Sequence, residues 1–203
     1  LSGTAYMNDR TSVDLGISLT VPSTFSQLRF WRNTAVAALG PGQTATLGQY
    51  TLGYETDEDL DNGSRPAGLI DMSSTTFTTT SHVTDPTGAN VGPGTSTHSM
   101  TLYRAASGAL VFGAGTVQWS WGLDGNHNDA PSTPDPSMQQ ATINLLADMN
   151  VQPATIQAGM VRATASAVVT PPTSSITMPA SGVSFSVGSA VTITGTATAP
   201  PGA

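Results

Sequence analysis

Apolar and polar positions alternate with a period near two along most of the chain, in short runs broken by glycine, proline and asparagine. That period puts successive side chains on opposite faces of an extended backbone, so the runs predict strands. Over residues 1 to 55 they are TAYMN, GISLTVP, QLRFWRN and AVAAL, and GPGQTATLG at 40 to 48 adds a Gly-Pro-Gly turn followed by a hairpin or an edge strand. LIDMSSTTFTTTSHV, residues 69 to 83, predicts one long strand, because threonine suits a pleated, half-buried surface. TDPTGANVGPGTST predicts a loop. HSMTLYRAASGALVFGAGTVQWSWGL then holds two apolar runs split by AASG, which predicts a hairpin entering the core. Met100, Leu102 and Tyr103 load the first run; Leu110, Val111, Phe112, Val117, Trp119 and Trp121 load the second.

The period changes to 3.6 only in DPSMQQATINLLADMN, residues 135 to 150. Met138, Ala141, Leu145 and Met149 fall on one stripe, with Ile143 and Leu146 nearby. Asp135 is placed to cap the N-terminus, and Pro136 suits the first helical position. Beyond it the chain passes through a Pro-Pro linker into short alternating runs, which predict the first strands of an immunoglobulin-like module. The expected organisation is a body over 1–155, a linker over 156–172 and an incomplete immunoglobulin-like module over 173–203. Three short strands do not close a sandwich, so this tail needs partner strands, from other segments of the same precursor or from a neighbouring subunit by strand pairing.

Composition narrows the function classes. Charged residues are 9% of the chain, there is no lysine, and the net charge is −7 with a pI near 4.5. No basic patch exists to neutralise phosphates, which excludes nucleic acid as a partner. A surface of Thr, Ser, Asn, Gln and Gly is typical of secreted β-rich proteins. The absence of cysteine excludes disulfides, thiolate nucleophiles and cysteine-ligated metals. No run of ~18 apolar residues is present to span a membrane. The opening LSGTAYMNDR has the look of a processed piece of something longer, with its targeting information upstream.

Against this sparse charge, TLGYETDEDLDNGSRPAG at 51 to 68 holds both glutamates, Glu55 and Glu58, together with Asp57, Asp59 and Asp61. Asp57, Asp59 and Asp61 keep the 1, 3, 5 spacing of a calcium loop, but the glycine comes at the seventh place, Gly63, and Gly68 stands where a closing glutamate is needed. The stretch is therefore either another kind of calcium loop or a solvated acidic turn. GLDGNHNDAPSTPD repeats the spacing with Asp124, Asn126 and Asn128, and is either a second cation loop or a set of Asx turns. His82, His98 and His127 show no i, i+4 zinc pair and are expected to make loop hydrogen bonds. Ser120 lacks the Gly-x-Ser-x-Gly elbow of a hydrolase nucleophile. Trp119 and Trp121, one residue apart on an expected strand, would share a face and form either a core wall or a sugar-stacking platform. Arg29, Arg32 and Arg65 are the cations available to pair with the acidic stretch.

RFWRNT, LGPGQTATLG, LGYETDEDLDNGSRPAGLI, HSMTLYRAASGALVFGAGTVQWSWGLD and MQQATINLLADMNVQPAT, in that order, resemble the C-terminal domain of the N,N-dimethylformamidase large-subunit-like family from about Leu1 to about Ile156. The resemblance implies an α/β, β-rich fold: the C-terminal part of an amidotransferase-like layered domain. It also implies a mononuclear iron site with tyrosine and glutamate ligands, some from upstream, and singles out Glu55 beside Tyr54. Ser120 and Trp121 stand where an amidotransferase histidine would be wanted, which argues against glutaminase chemistry.

The leading expectation is a segment of a large secreted or cell-surface bacterial multidomain protein, structural or adhesive and not catalytic on its own. The alternative is a metal-dependent hydrolase of amide C–N bonds whose site another segment completes. Calcium is the cofactor expected on the first reading and iron on the second.

Overall fold

The computed structural model describes residues 2–9, 16–128, 132–168 and 170–199. They divide into two compact units, 1–164 and 165–203. The strands of the first unit are β1 (Ala5–Asp9), β2 (Thr20–Pro22), β3 (Thr44–Thr46), β4 (Glu55–Glu58), β5 (Ile70–Asp71), β6 (Thr75–Val83), β7 (Val91–His98), β8 (Thr101–Arg104) and β9 (Leu110–Gly113). The helix α1 (Pro136–Asp148) follows, and the second unit adds β10 (Thr173–Met178) and β11 (Thr194–Thr198). Every pairing between these strands is antiparallel. The body is thus β-rich, with small sheets and one α-helix among the described residues, instead of the layered α/β arrangement expected.

Strands β1, β4, β7 and β6 close into a four-stranded ring, while β2 pairs β3 and β5, β8 and β9 form a three-stranded sheet. The run expected as one long strand over 69 to 83 is divided between two sheets, β5 pairing β8 and β6 starting at Thr75, and cross-strand pairs such as Thr76 with Thr97, hydroxyl to hydroxyl at 3.0 Å, join β6 to β7. The segment 84–97 was expected as a loop, but its second half, from Val91 on, belongs to β7. Pro93 hides that strand in the sequence: it sits where the register shifts between Thr79 and His82, a bulge that needs no donor from proline.

Two stretches expected as strands form 3₁₀ turns, Arg29–Trp31 and Val36–Ala38. Local contacts fix the backbone between them: Thr34 donates to Trp31 O at 2.6 Å, and Asn33 takes a φ of 60°. Trp119 and Trp121 likewise lie on a 3₁₀ turn, Trp119–Gly122, and not on a strand.

Helix α1 forms where its caps predict. Asp135 Oδ1 accepts from the amides of Ser137 at 2.8 Å and Met138 at 3.1 Å, with Pro136 at the first position. Asn150, at φ 61°, ends it; Asn150 N donates to Ala147 O and Val151 N to Leu146 O, the two bonds of a Schellman motif. Met138, Ala141 and Leu145 pack into a core with Leu19, Val21, Trp31, Leu52, Met72 and Met100. Gln140 and Asn144 are buried too. Gln140 exchanges hydrogen bonds with Val161, and Asn144 Nδ2 donates to Phe30 O and Arg32 O. Arg29 and Arg32 pair with Asp148 of the helix, both at 3.0 Å, and not with the acidic stretch. No helix is long and apolar enough to cross a membrane among the described residues.

Candidate functional site

The interior of the four-stranded ring is polar. Strand β4 alternates, with Thr56 and Glu58 buried and Glu55 and Asp57 half-buried on the opposite parity. Glu58 therefore points inward, and Glu55 does not share its face. Ser96 Oγ donates to Glu58 Oε1 at 2.5 Å, and His82 Nε2 lies 3.3 Å from the same oxygen. Glu58 faces His98 across the β4–β7 pairing, and Asn8 faces both Thr56 and His82. Asn8, Ser96 and His98 are fully buried. Two glycines make room for the imidazoles: a Cβ on Gly94 would lie 2.8 Å from His82 Cβ, and one on Gly115 2.8 Å from His98 Nε2.

His98 was expected in a loop; it closes β7 with its Nε2 2.9 Å from Ala114 O. Burial pushes its pKa down to about 4, against the smaller upward pull of that hydrogen bond. The ring is neutral there at physiological pH. Chemically, Ser96, Glu58 and His82 form a chain with the carboxylate in the middle, so the serine hydroxyl is held by the acid and not by the imidazole. A nucleophilic serine needs access and a base that takes its proton. Buried Ser96 has no access, and this arrangement ties strands together.

The residues singled out from the sequence are dispersed. Asp57 Oδ2 accepts from Thr4 Oγ1 at 2.7 Å. Asp59 makes a two-pronged ion pair with Arg65, at 2.7 to 2.9 Å, so the pairing expected of Arg65 is present. The nearby Asp71 carboxyl is pushed up, first by burial and then by Asp59. Asp61 is exposed in the following loop. Glu55 is the cross-strand partner of Asp9, and the Tyr6 phenol lies beside both. Partial burial, then the hydrogen bond and charge of Asp9 and the charge of Glu55, push Tyr6 up to about 12. Tyr6, Met7, Leu60, Val83 and Pro86 line a neighbouring groove of 590 Å³.

In the second loop Asp124 Oδ1 accepts from Asn126 N at 2.6 Å, an Asx turn, while Asn126 and Asn128 are exposed. His127 stacks on Trp121 at 4.1 Å and meets Ser132 Oγ at 2.7 Å. Trp121 is buried, and Trp119 is half-buried against Phe30 and Phe112, so both rings pack inward. Among the described residues no three or more of His, Asp and Glu are gathered as a metal ion requires. Asp59 is already engaged by Arg65 and Asp57 by Thr4, so the chain's own residues do not fit an iron site by themselves.

The inward set of Asn8, Thr56, Glu58, His82, Ser96 and His98 was not anticipated. Its signal is the two-residue spacing of Thr56 with Glu58 and of Ser96 with His98. No curated protein and no solved structure matches the chain at a significant level. One family model does match, over residues 1–132, and with more than half its length covered the chain belongs to the family described as N,N-dimethylformamidase beta subunit-like, C-terminal.

Proposed function

We propose that the chain is a segment of a large secreted or cell-surface bacterial multidomain protein, with a structural or assembly role carried by an open β surface and not by catalysis. The observation that carries this reading is the C-terminal unit. Among the described residues strands β10 and β11 pair only with each other, and every residue of both is exposed. Ile176 is 68% exposed and Ile193 67%, two large apolar side chains left uncovered in this unit. The two faces differ. Thr173 and Ser175 face Thr198 and Thr196, whereas Ser174 and Ile176 face Ala197 and Gly195 on the other side; beyond Ile176 the register shifts, so that Met178 pairs with Thr194 while the Thr177 and Thr194 hydroxyls meet at 3.2 Å. No charged residue occurs from 163 to 203.

An isolated two-stranded sheet is marginal in water, and an amphipathic one has an apolar face to cover. Such a unit suits the start of an immunoglobulin-like module completed by strands of another segment or a neighbouring subunit. The hydrophobic dye ANS is expected to bind the chain, and the double change Ile176→Asp, Ile193→Asp to abolish most of that binding without altering the melting of the body. A chain that binds no dye would count against the open surface.

Family membership favours a second reading, a hydrolase of amide C–N bonds, with Glu55 as one ligand of iron and the rest from another segment. Tyr6, Asp9 and Glu55 bring a phenol and two carboxylates to the same strand pair. Iron at about one per chain in protein from its native source, lost in Glu55→Ala, supports that reading; calcium alone supports a structural ion.

A further inference from the structure

The interior of the four-stranded ring has more lone pairs than hydrogens to meet them. His98 Nε2 faces a carbonyl oxygen, which only accepts, so Nε2 carries the hydrogen and Nδ1 is a bare lone pair. That Nδ1 is buried and has no partner. Asn8 donates through Nδ2 to Tyr54 O at 3.4 Å, which leaves Asn8 Oδ1 buried and unpaired. Thr56 Oγ1 is buried and unpaired as well. All three residues are at most 1% exposed.

The register brings them to one section of the ring. Asn8 faces Thr56, Thr56 shares a face with Glu58, and Glu58 faces His98. The ring is also closed by few main-chain contacts here. Among the described residues the β1–β6 pairing is the single pair Asn8 with His82, and the β4–β7 pairing the single pair Glu58 with His98. Side chains must supply what the ladders do not.

We propose that the ring holds one internal water molecule, donating to His98 Nδ1 and Asn8 Oδ1 and accepting from the Thr56 hydroxyl, and that this water completes the closure of the ring. The hydrogen count balances: two donors of water meet two acceptors, and one hydroxyl hydrogen meets a water lone pair. Three bonds is the usual number for a buried water. A metal cation fits the same lone pairs less well, because Glu58 Oε1, a carboxylate oxygen on the same face of β4 as Thr56, is already engaged by Ser96 and His82.

Nitrogen-15 NMR of the histidine rings in the intact chain at pH 7 tests this directly. A donor to Nδ1 moves its resonance to lower frequency than a bare lone pair, and a bound water cross-relaxes with the Thr56 side chain. Both signals, unchanged by EDTA, are the expected result. A bare-lone-pair shift with no water cross-peak overturns the proposal, and so does a spectrum that EDTA alters, which assigns the site to a cation. Thr56→Val is expected to remove the cross-peak and lower the melting temperature by about 3 °C. Should that variant fail to fold, the wild-type spectrum still decides.

Discussion

Replacing Trp31 by alanine is expected to lower the melting temperature of the body by roughly 10 °C. Trp31 is completely buried and packs edge-on against Phe30 at 4.7 Å. Its indole N–H donates to Met72 O at 2.9 Å, linking the Arg29–Trp31 turn to the chain just after β5. Deleting a buried tryptophan costs about 3–5 kcal/mol through lost burial and the cavity left behind. The orphaned Met72 carbonyl adds about 1 kcal/mol. In a domain of this size each kcal/mol moves the midpoint by roughly 2–4 °C. Thermal melts followed by circular dichroism check the figure, and a shift under about 4 °C would show that Trp31 is not central to this core.

The second large effect is on the pH dependence of stability, and His98 causes it. Its folded pKa is about 4, below the ordinary value of 6.5 that the unfolded chain recovers. Between those values the unfolded chain binds the proton and the folded chain does not, so unfolding is favoured as pH falls. Stability is therefore full above pH 6.5 and declines down to pH 4, with a total loss of about 3 kcal/mol at 1.36 kcal/mol for each pH unit. Carboxylates titrate at the lower end of the same window, so the comparison must be made against a variant. Unfolding free energies from urea titrations are expected to fall further between pH 7 and pH 4.5 in the wild type than in His98→Gln, by about 2 to 3 kcal/mol. Equal losses in both proteins would mean that His98 is not neutral and buried in solution.

Much of this fold was legible wherever one local rule dominated. Asp135-Pro136 at one end and the polar break at Asn150 at the other delimit α1 before any tertiary contact is considered. Thr75 to Val83 has enough β-branched residues to predict its strand alone. The same logic failed for β7, because Gly92-Pro93-Gly94 has the composition of a turn. Those residues serve the ring: Pro93 occupies a bulge, and Gly94 leaves space for the His82 ring. It failed again at Arg29–Trp31, where an apolar, aromatic run packs through a 3₁₀ turn stitched to Asn144 of α1, more than a hundred residues away.

The candidate site was hidden for a different reason. Carboxylates stand on both parities of β4, Glu55 and Asp57 on one and Glu58 on the other. A period of two says that the parities point to opposite faces, but only the cross-strand partners say which face is inside. Those partners, Asn8 and His98, and His82 whose imidazole meets Glu58, come from three strands with no local link to β4. Glu55 drew attention through a family resemblance, whereas Glu58 is the acid that the ring encloses.

Amide hydrogen exchange, resolved by residue on the chain alone, tests the central claim most directly. If the C-terminal unit is an open β surface that waits for partner strands, the amides of β10 and β11 exchange within about tenfold of the unfolded rate, while the core of the 1–164 body is protected by orders of magnitude. Protection of β10 and β11 comparable to that of the body, in a chain that sediments as a monomer, would show that the unit is self-sufficient and contradict the assembly role.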